Sequence, residues 1–367
     1  MKKSDRNCFK GVNRDALIDI MSRLDGCTLA SVASTCNDLR GAAGEESLWK
    51  EFCYNTWPST SAIKTASFKC LYTDAFPLIL YEEGRSEVPQ QQMTSESTPP
   101  DSSLWSSPSG FTSLVDIYYK GHCIFSKVVD GMTARNESET SEGFKRFLCY
   151  PFSLDLLGIG RFETSDHVFD QNLGIMEDDT TNSLLAAFTG YNKRGGICSD
   201  IAQNIQLSWI LWNARTGRAV NISSWKPRSI CRNNPFVHED FFLCFGCIVP
   251  AEDSSIIHKL TEFEISVKCK LLIEQGCIIW KEISLIMKDI DGSHLNGQQS
   301  MRAFNRALIC SRSINHSRVE KGYQHFQNQK ILHRIKIDQE ELISNLLSAT
   351  VAIASLLGIC YACGTLL

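Results

Sequence analysis

The first apolar period in the chain is helical. Leu17, Ile20, Met21 and Leu24 fall at i, i+3, i+4 and i+7 and predict one amphipathic helix. Asp25-Gly26 interrupts it, and Thr28 stands where an N-cap hydroxyl would accept a first-turn amide. Leu29, Val32, Ala33 and Cys36 repeat the spacing, with Leu39 one turn on, until Gly41 and Gly44 close a second helix. Glu45 and Glu46 suit the positive start of a third helix, which carries Leu48, Trp49 and Phe52. Three short helices within residues 12–57 make a small core. A block of this size predicts that a partner or an adjoining domain completes its burial.

The period then changes. Residues 82–110 are rich in Pro, Ser, Gln and Glu and read as a linker, and residues 131–142 read as a polar loop. Between and beyond them, "SLVDIYYKG", "QLSWILWNA", "RAVNIS", "FFLCFGCIVP", "FEISVKCKLLIEQG" and "CIIWKEISLIMKDIDG" are short β-branched and aromatic runs separated by turn residues. "NARTGRA" suits a hairpin between two of them. Residues 111–310 therefore predict a β-rich, sandwich-like domain, and the chain as a whole is α+β. "SMRAFNRALICSR" returns to helical spacing, and residues 311–341 form a polar stalk.

Residues 342–367 carry no charge, a stretch longer than the ~20 residues that cross a hydrocarbon core. Leu346, Val351, Ile353, Leu356, Leu357 and Ile359 would lie at membrane depth, behind a basic flank of His333, Arg334 and Lys336. The alternative is a C-terminal helix buried against the β domain. Residues 1–24 alternate charged with apolar and hold no h-region. The expectation is a single-pass tail anchor with the body in the cytosol or nucleoplasm, on an endomembrane or the nuclear envelope.

Composition narrows the chemistry. A net charge of -4 with no basic stripe argues against a nucleic-acid partner. The 16 cysteines have no framework spacing and read as free thiols. "CFGC" at 244–247 and "CYAC" at 360–363 lie too far apart in character to share a structural zinc, and Cys231, Cys269 and Cys277 are the further ligands "CFGC" would need. Buried strand cysteine is the commoner case. Sequons occur at Asn136, Asn221 and Asn315. No GxSxG, HExxH, Walker or dinucleotide fingerprint is present, and neither "NKRGG" at 192–196 nor "MEDDT" at 176–180 has ligand spacing. His122 and His167 each lie near one aspartate without forming a dyad pattern. No catalytic residue, cofactor or metal is expected. Trp209, Trp212, Trp225 and Trp280 read as core in preference to recognition aromatics.

The stretch "RDALIDIMSRLDGCTLASVASTCNDLRGAAGEESLWKEFC" resembles the F-box, the adaptor-binding motif of SCF-type ubiquitin ligases, in its helix–break–helix–"LW" order. Many F-boxes open with Leu-Pro, where this chain has Val12-Asn13-Arg14. Trp57-Pro58, "SWILWNARTGRAVNISSWKP" and "KDIDGSHLNG" are similar to one group of plant F-box proteins, the cytokinin-induced group with an apolar C-terminus. The resemblance implies a non-catalytic substrate receptor that binds an SKP-family adaptor and, through it, a cullin. It assigns adaptor contact to Leu17, Ile20, Leu24, Leu29, Val32, Leu39, Leu48 and Trp49, and leaves the protein substrate unnamed. Membrane lipid would be the partner of the tail. The rival is a non-ligase scaffold with a lectin-like β domain, whose F-box-like helices serve packing alone.

Overall fold

The computed structural model describes residues 13–82, 110–131, 145, 147–157, 201–234, 237–251, 260–272 and 277–364. The linker expected at 82–110 and the loop at 131–142 lie almost wholly outside them, as do Asn136, His167, "MEDDT" and "NKRGG".

Four α-helices, not three, build the N-terminal block: α1 (Arg14–Ser22), α2 (Gly26–Ala33), α3 (Asn37–Ala42) and α4 (Glu46–Thr56). Asn13 caps α1 by accepting from the Asp15 amide. The cap of α2 is Asp25, not Thr28; its carboxylate accepts from the Thr28 amide at 2.8 Å and from the Thr28 hydroxyl at 2.7 Å. The predicted second helix breaks because Ser34 and Thr35 turn their hydroxyls back onto the Ser31 and Val32 carbonyls. Cys36 is then extended and starts α3 afresh. A 3-10 turn (Pro58–Ala62) and α5 (Phe68–Ala75) follow, neither of them predicted.

The β-rich body holds two sheets around one core. The first pairs β11 (Arg312–Ser313), β1 (Leu78–Ile79), β6 (Ala219–Asn221), β5 (Ile205–Asn213), β2 (Phe111–Tyr119) and β3 (His122–Asp130), in that spatial order. The second pairs β4 (Ser153–Asp155), β10 (Cys277–Lys288), β9 (Leu260–Leu272), β8 (Val237–Pro250) and β7 (Ser229–Asn234). Phe111, Val115 and Ile117 from one sheet share a buried cluster with Phe241, Phe263 and Ile283 from the other, which is the packing of a sandwich. α6 (Gly297–Ala307), fixed by a reciprocal Asn296–Gln299 capping box, inserts Phe304 against Phe111, Phe152 and Phe263.

"NARTGRA" is the β5–β6 hairpin, with Asn213 accepting from the Arg215 and Thr216 amides and Gly217 at positive φ. The glycine of "CFGC" has a packing reason: Gly246 adopts φ 151°, and a Cβ there would meet the Phe263 carbonyl of β9 at 1.8 Å. Trp209 is fully buried and donates to Ser113, and Trp212 is buried too, while Trp225 and Trp280 are half-buried. Asn221 is wholly buried and hydrogen-bonded, so its sequon is closed to glycosylation in this fold.

The C-terminus corrects two expectations. The stalk is not a separate piece: α7 runs without a break from His316 to Gly364, 49 residues and so about 73 Å at 1.5 Å per residue. Among the described residues no helix is long and apolar enough to cross a membrane, so the expected single-pass span finds no support there. Arg334, Lys336, Asp338, Glu340 and Glu341 stand just before the apolar part of the helix, and Leu357 and Ile359, two of the six residues expected at membrane depth, have side chains outside the described residues. The alternative of a buried tail fails as well, because Leu346, Val351, Ile353 and Leu356 are all exposed.

Candidate functional site

The N-terminal helices sort the predicted site residues by burial. Leu29, Leu48 and Trp49 are at most 2% exposed and pack with Met21 and Cys53 as the interior of the block. Trp49 donates its indole N–H to the Ala43 carbonyl at 2.7 Å, which fixes α4 against the end of α3. These three side chains hold the helices together and present nothing outward. Leu17, Leu24, Val32 and Leu39 are half-buried and line the rim of that interior. Ile20 differs from all of them: it is 56% exposed, on the outer side of α1. The eight residues thus divide into an inner three, a rim of four and one apolar side chain in solvent.

Charge frames this surface. Arg14 at the start of α1 pairs with Glu45 at the start of α4, and Arg23 pairs with Asp19 one turn away. The Thr28 hydroxyl and amide hold the Asp25 carboxyl below its ordinary range. Burial pushes the Cys53 thiol up to about 12, so it behaves as a small apolar group and not as a nucleophile.

The block does not stop at residue 57. Tyr72 of α5 stacks against Phe76 and lies 5.4 Å from Trp49 and 5.3 Å from Trp57, ring centre to ring centre. Glu46 reaches across to α5, accepting from the Ser67 hydroxyl at 2.6 Å and the Phe68 amide at 2.8 Å. Sequence reasoning missed α5, yet its signal is present: Phe68, Leu71, Tyr72 and Ala75 fall at i, i+3, i+4 and i+7 behind an N-cap serine.

Body strands complete the same interior. Leu114 of β2, Ile210 and Trp212 of β5 and Ala219 of β6 pack with Trp49, Trp57 and Leu71 in one cluster. Asp116 of β2 is wholly buried and accepts from the Ser59 amide at 3.0 Å, the Ser59 hydroxyl at 2.6 Å and the Ser126 hydroxyl at 2.6 Å. Burial raises its pKa despite those three donors. The Tyr118 hydroxyl donates to the Thr56 carbonyl at the end of α4. Asp74 of α5 binds Arg218 at 2.6 Å and Arg312 at 3.2 Å, so the block is pinned to the hairpin and to β11. Adjoining structure completes the burial, as the small size of the block predicts.

Among the described residues no group of His, Cys, Asp and Glu is placed to hold a metal ion. Cys247 is buried, with its thiol raised by desolvation, and Cys244 is half-buried on the same strand. His122 is exposed at the start of β3. The side chains of Cys277, Cys360 and Cys363 lie outside the described residues.

Residues 14–55 match the F-box-like family. Over most of its length the chain is similar to curated plant F-box proteins. It is 29% identical to F-box protein At3g44326 of Arabidopsis thaliana over 87% of this chain and 78% of that one. Probable F-box protein At2g36090 of the same plant is 26% identical over 91% and 86% of the two chains. F-box protein At2g27310, also from Arabidopsis thaliana, is 27% identical over 88% and 86%. No solved structure matches. The similarity reaches well past the F-box-like block and into the residues of the β-rich body.

Proposed function

We propose that this protein is the substrate-recognition subunit of an SCF-type ubiquitin ligase. The observation that carries the reading is the F-box-like block itself: a capped helical unit whose interior is closed by Leu29, Leu48 and Trp49 while Ile20 and its rim stay open to a partner. An SKP-family adaptor covers that rim, with Ile20, Leu17, Leu24, Val32 and Leu39 as the contact residues, and bridges to a cullin. The receptor makes and breaks no bonds. It raises the effective concentration of a bound protein substrate near the ubiquitin-charged enzyme. The motifs around Trp212 and Asp291 favour, by resemblance, the cytokinin-induced plant group.

Adaptor capture by the full chain is the test. Ile20→Asp should abolish co-purification of an SKP-family adaptor and leave the thermal unfolding of the chain unchanged. No capture by the unsubstituted chain would leave the scaffold reading in its place, and retained capture by Ile20→Asp would remove Ile20 from the contact.

A finer part of the proposal is attachment to a membrane through residues 342–367. The exposed Leu342, Ile343, Leu346, Leu347, Val351, Ile353 and Leu356 favour it. So do the hydroxyls of Ser348, Thr350 and Ser355, which donate to the Ser344, Leu347 and Val351 carbonyls of their own helix and need no water. Alkaline carbonate should leave the full chain in the membrane pellet and release a chain ending at Glu341; equal release of both removes the attachment.

A further inference from the structure

α7 changes its outward face at one point. Over its first part, Val319, Tyr323 and Phe326 turn inward onto Leu78, Leu80, Ile248, Leu260 and Ile290. Gly322 allows the closest approach, because a Cβ there would meet the Tyr81 carbonyl at 2.3 Å. Polar ties reinforce this docking. Glu262 accepts from Tyr323 at 2.9 Å, Gln327 at 3.1 Å and Lys330 at 2.8 Å, and Arg228 lies 3.5 Å above the Tyr323 ring. The inward series ends with His333, paired with Asp291.

A second series begins where the first ends. Leu332, Ile335, Gln339, Leu342, Leu346, Ala349, Ile353 and Leu356 alternate steps of three and four residues, the a/d spacing of a coiled-coil seam sustained for more than three heptads. All eight are exposed. One and two heptads upstream, the same face carries Arg318, Lys321, His325 and Asn328. The face therefore turns apolar only after the helix has left the body. Lipid does not account for its beginning: Leu332 is 66% exposed within a stretch that also holds Arg334, Lys336 and Asp338, which stay in water.

We propose that α7 pairs with α7 of a second copy of this chain, in parallel and in register, along the seam Leu332–Leu356. Register points to a second copy in preference to an unlike helix. The one strongly polar seam residue, Gln339, occupies an a position, where a two-fold axis sets it against itself. A glutamine amide both donates and accepts, so two facing copies satisfy each other, whereas slipped or antiparallel pairings place each amide against leucine or alanine. The parallel arrangement keeps both bodies at one end of the pair, and two receptors then share one stalk. This inference is independent of the adaptor reading and goes beyond it.

The full chain in neutral detergent serves as the sample. With Cys360 and Cys363, which continue the same spacing, both replaced by Ser, Gln339→Cys under mild oxidation should yield a covalent product of twice the chain mass, while Ile337→Cys, on the outer face of the pair, should yield no more of it than the Ser-substituted chain alone. Leu332→Glu with Ile335→Glu should convert the sedimenting species from dimer to monomer and leave the unfolding temperature of the body in place. Monomeric sedimentation of the unsubstituted chain overturns the proposal, as does equal cross-linking at 337 and 339. A monomer that floats with phosphatidylcholine vesicles names lipid as the sole cover of the seam, and likewise overturns it.

Discussion

Both ends of this chain are helical and both are fastened to the same β body, but they are fastened in opposite senses. At the N-terminus the apolar side chains turn inward: Trp49, Trp57, Leu71 and Tyr72 share a core with Leu114, Ile210 and Trp212 of the sheet. At the C-terminus only the first part of α7 is buried, through Val319, Tyr323 and Phe326, and from Leu332 onward its large apolar side chains face outward. Buried apolar area is the main term that makes a segment inseparable from its neighbours. The F-box-like block is thus part of the body, and the far half of α7 is not.

Cutting the chain at each end is the strongest test of that difference. A fragment of residues 1–60 lacks Leu71, Tyr72 and the sheet residues that close its core, and should be unfolded by circular dichroism. A chain ending at Glu341 should melt at the temperature of the full chain. A folded 1–60 fragment would break the comparison. Next in size is Trp49→Ala in the full chain, which removes a fully buried indole and its hydrogen bond to Ala43. It should cost about 3–5 kcal/mol in denaturant unfolding.

The sequence made the two ends legible to different depths. The period of Leu17, Ile20, Met21 and Leu24 located α1, and the "LW" pair marked the closing helix. The split of the second predicted helix was hidden because Ser34 and Thr35 act through hydroxyl-to-carbonyl bonds, which leave no apolar period. Helical spacing alone also could not divide Leu29, which is buried, from Ile20, which is not: both fall on apolar stripes, and only the docking of α4 and α5 determines which stripe is covered. In the body, β-branched and aromatic runs marked β2, β5, β6, β8, β9 and β10, and left β1, β3, β4, β7 and β11 unmarked. They could not find the Ser59–Asp116 link, because the partners stand 57 residues apart. The stalk and the apolar tail looked like two elements because charge stops at Glu341, yet backbone helicity ignores that boundary.

Polar fastening gives the next smaller effects. Asp74→Ala leaves Arg312, whose side chain is 12% exposed, without its carboxylate partner, and should cost about 2–3 kcal/mol. Arg218, half exposed, contributes less to that figure. Asp116 adds a pH dependence. Its pKa is raised from 3.8 in the folded chain, so the fold binds the proton more tightly than the unfolded chain does. Its contribution is fully present below the ordinary value and is lost as pH rises through the folded one. Asp116→Asn keeps an acceptor for the Ser59 amide and should flatten this part of the stability profile. An unchanged slope between the chain and the variant would show that Asp116 does not set it.

The smallest expected effect on stability belongs to the residue with the largest expected effect on assembly. Ile20 has little burial to lose, so Ile20→Asp should shift unfolding by no more than about 0.5 kcal/mol. Leu29→Asp, at 0% exposure, buries an unpaired carboxylate and should unfold the block. Both substitutions would abolish adaptor capture, for different reasons, and the melting curve separates them: lost capture with an intact melt is a contact removed, and lost capture with a lowered melt is a core broken. If Ile20→Asp lowered the melt as Leu29→Asp does, Ile20 would be part of the interior after all, and the division of the F-box-like block into a buried Leu-Trp core and an open rim would fail at its outermost residue.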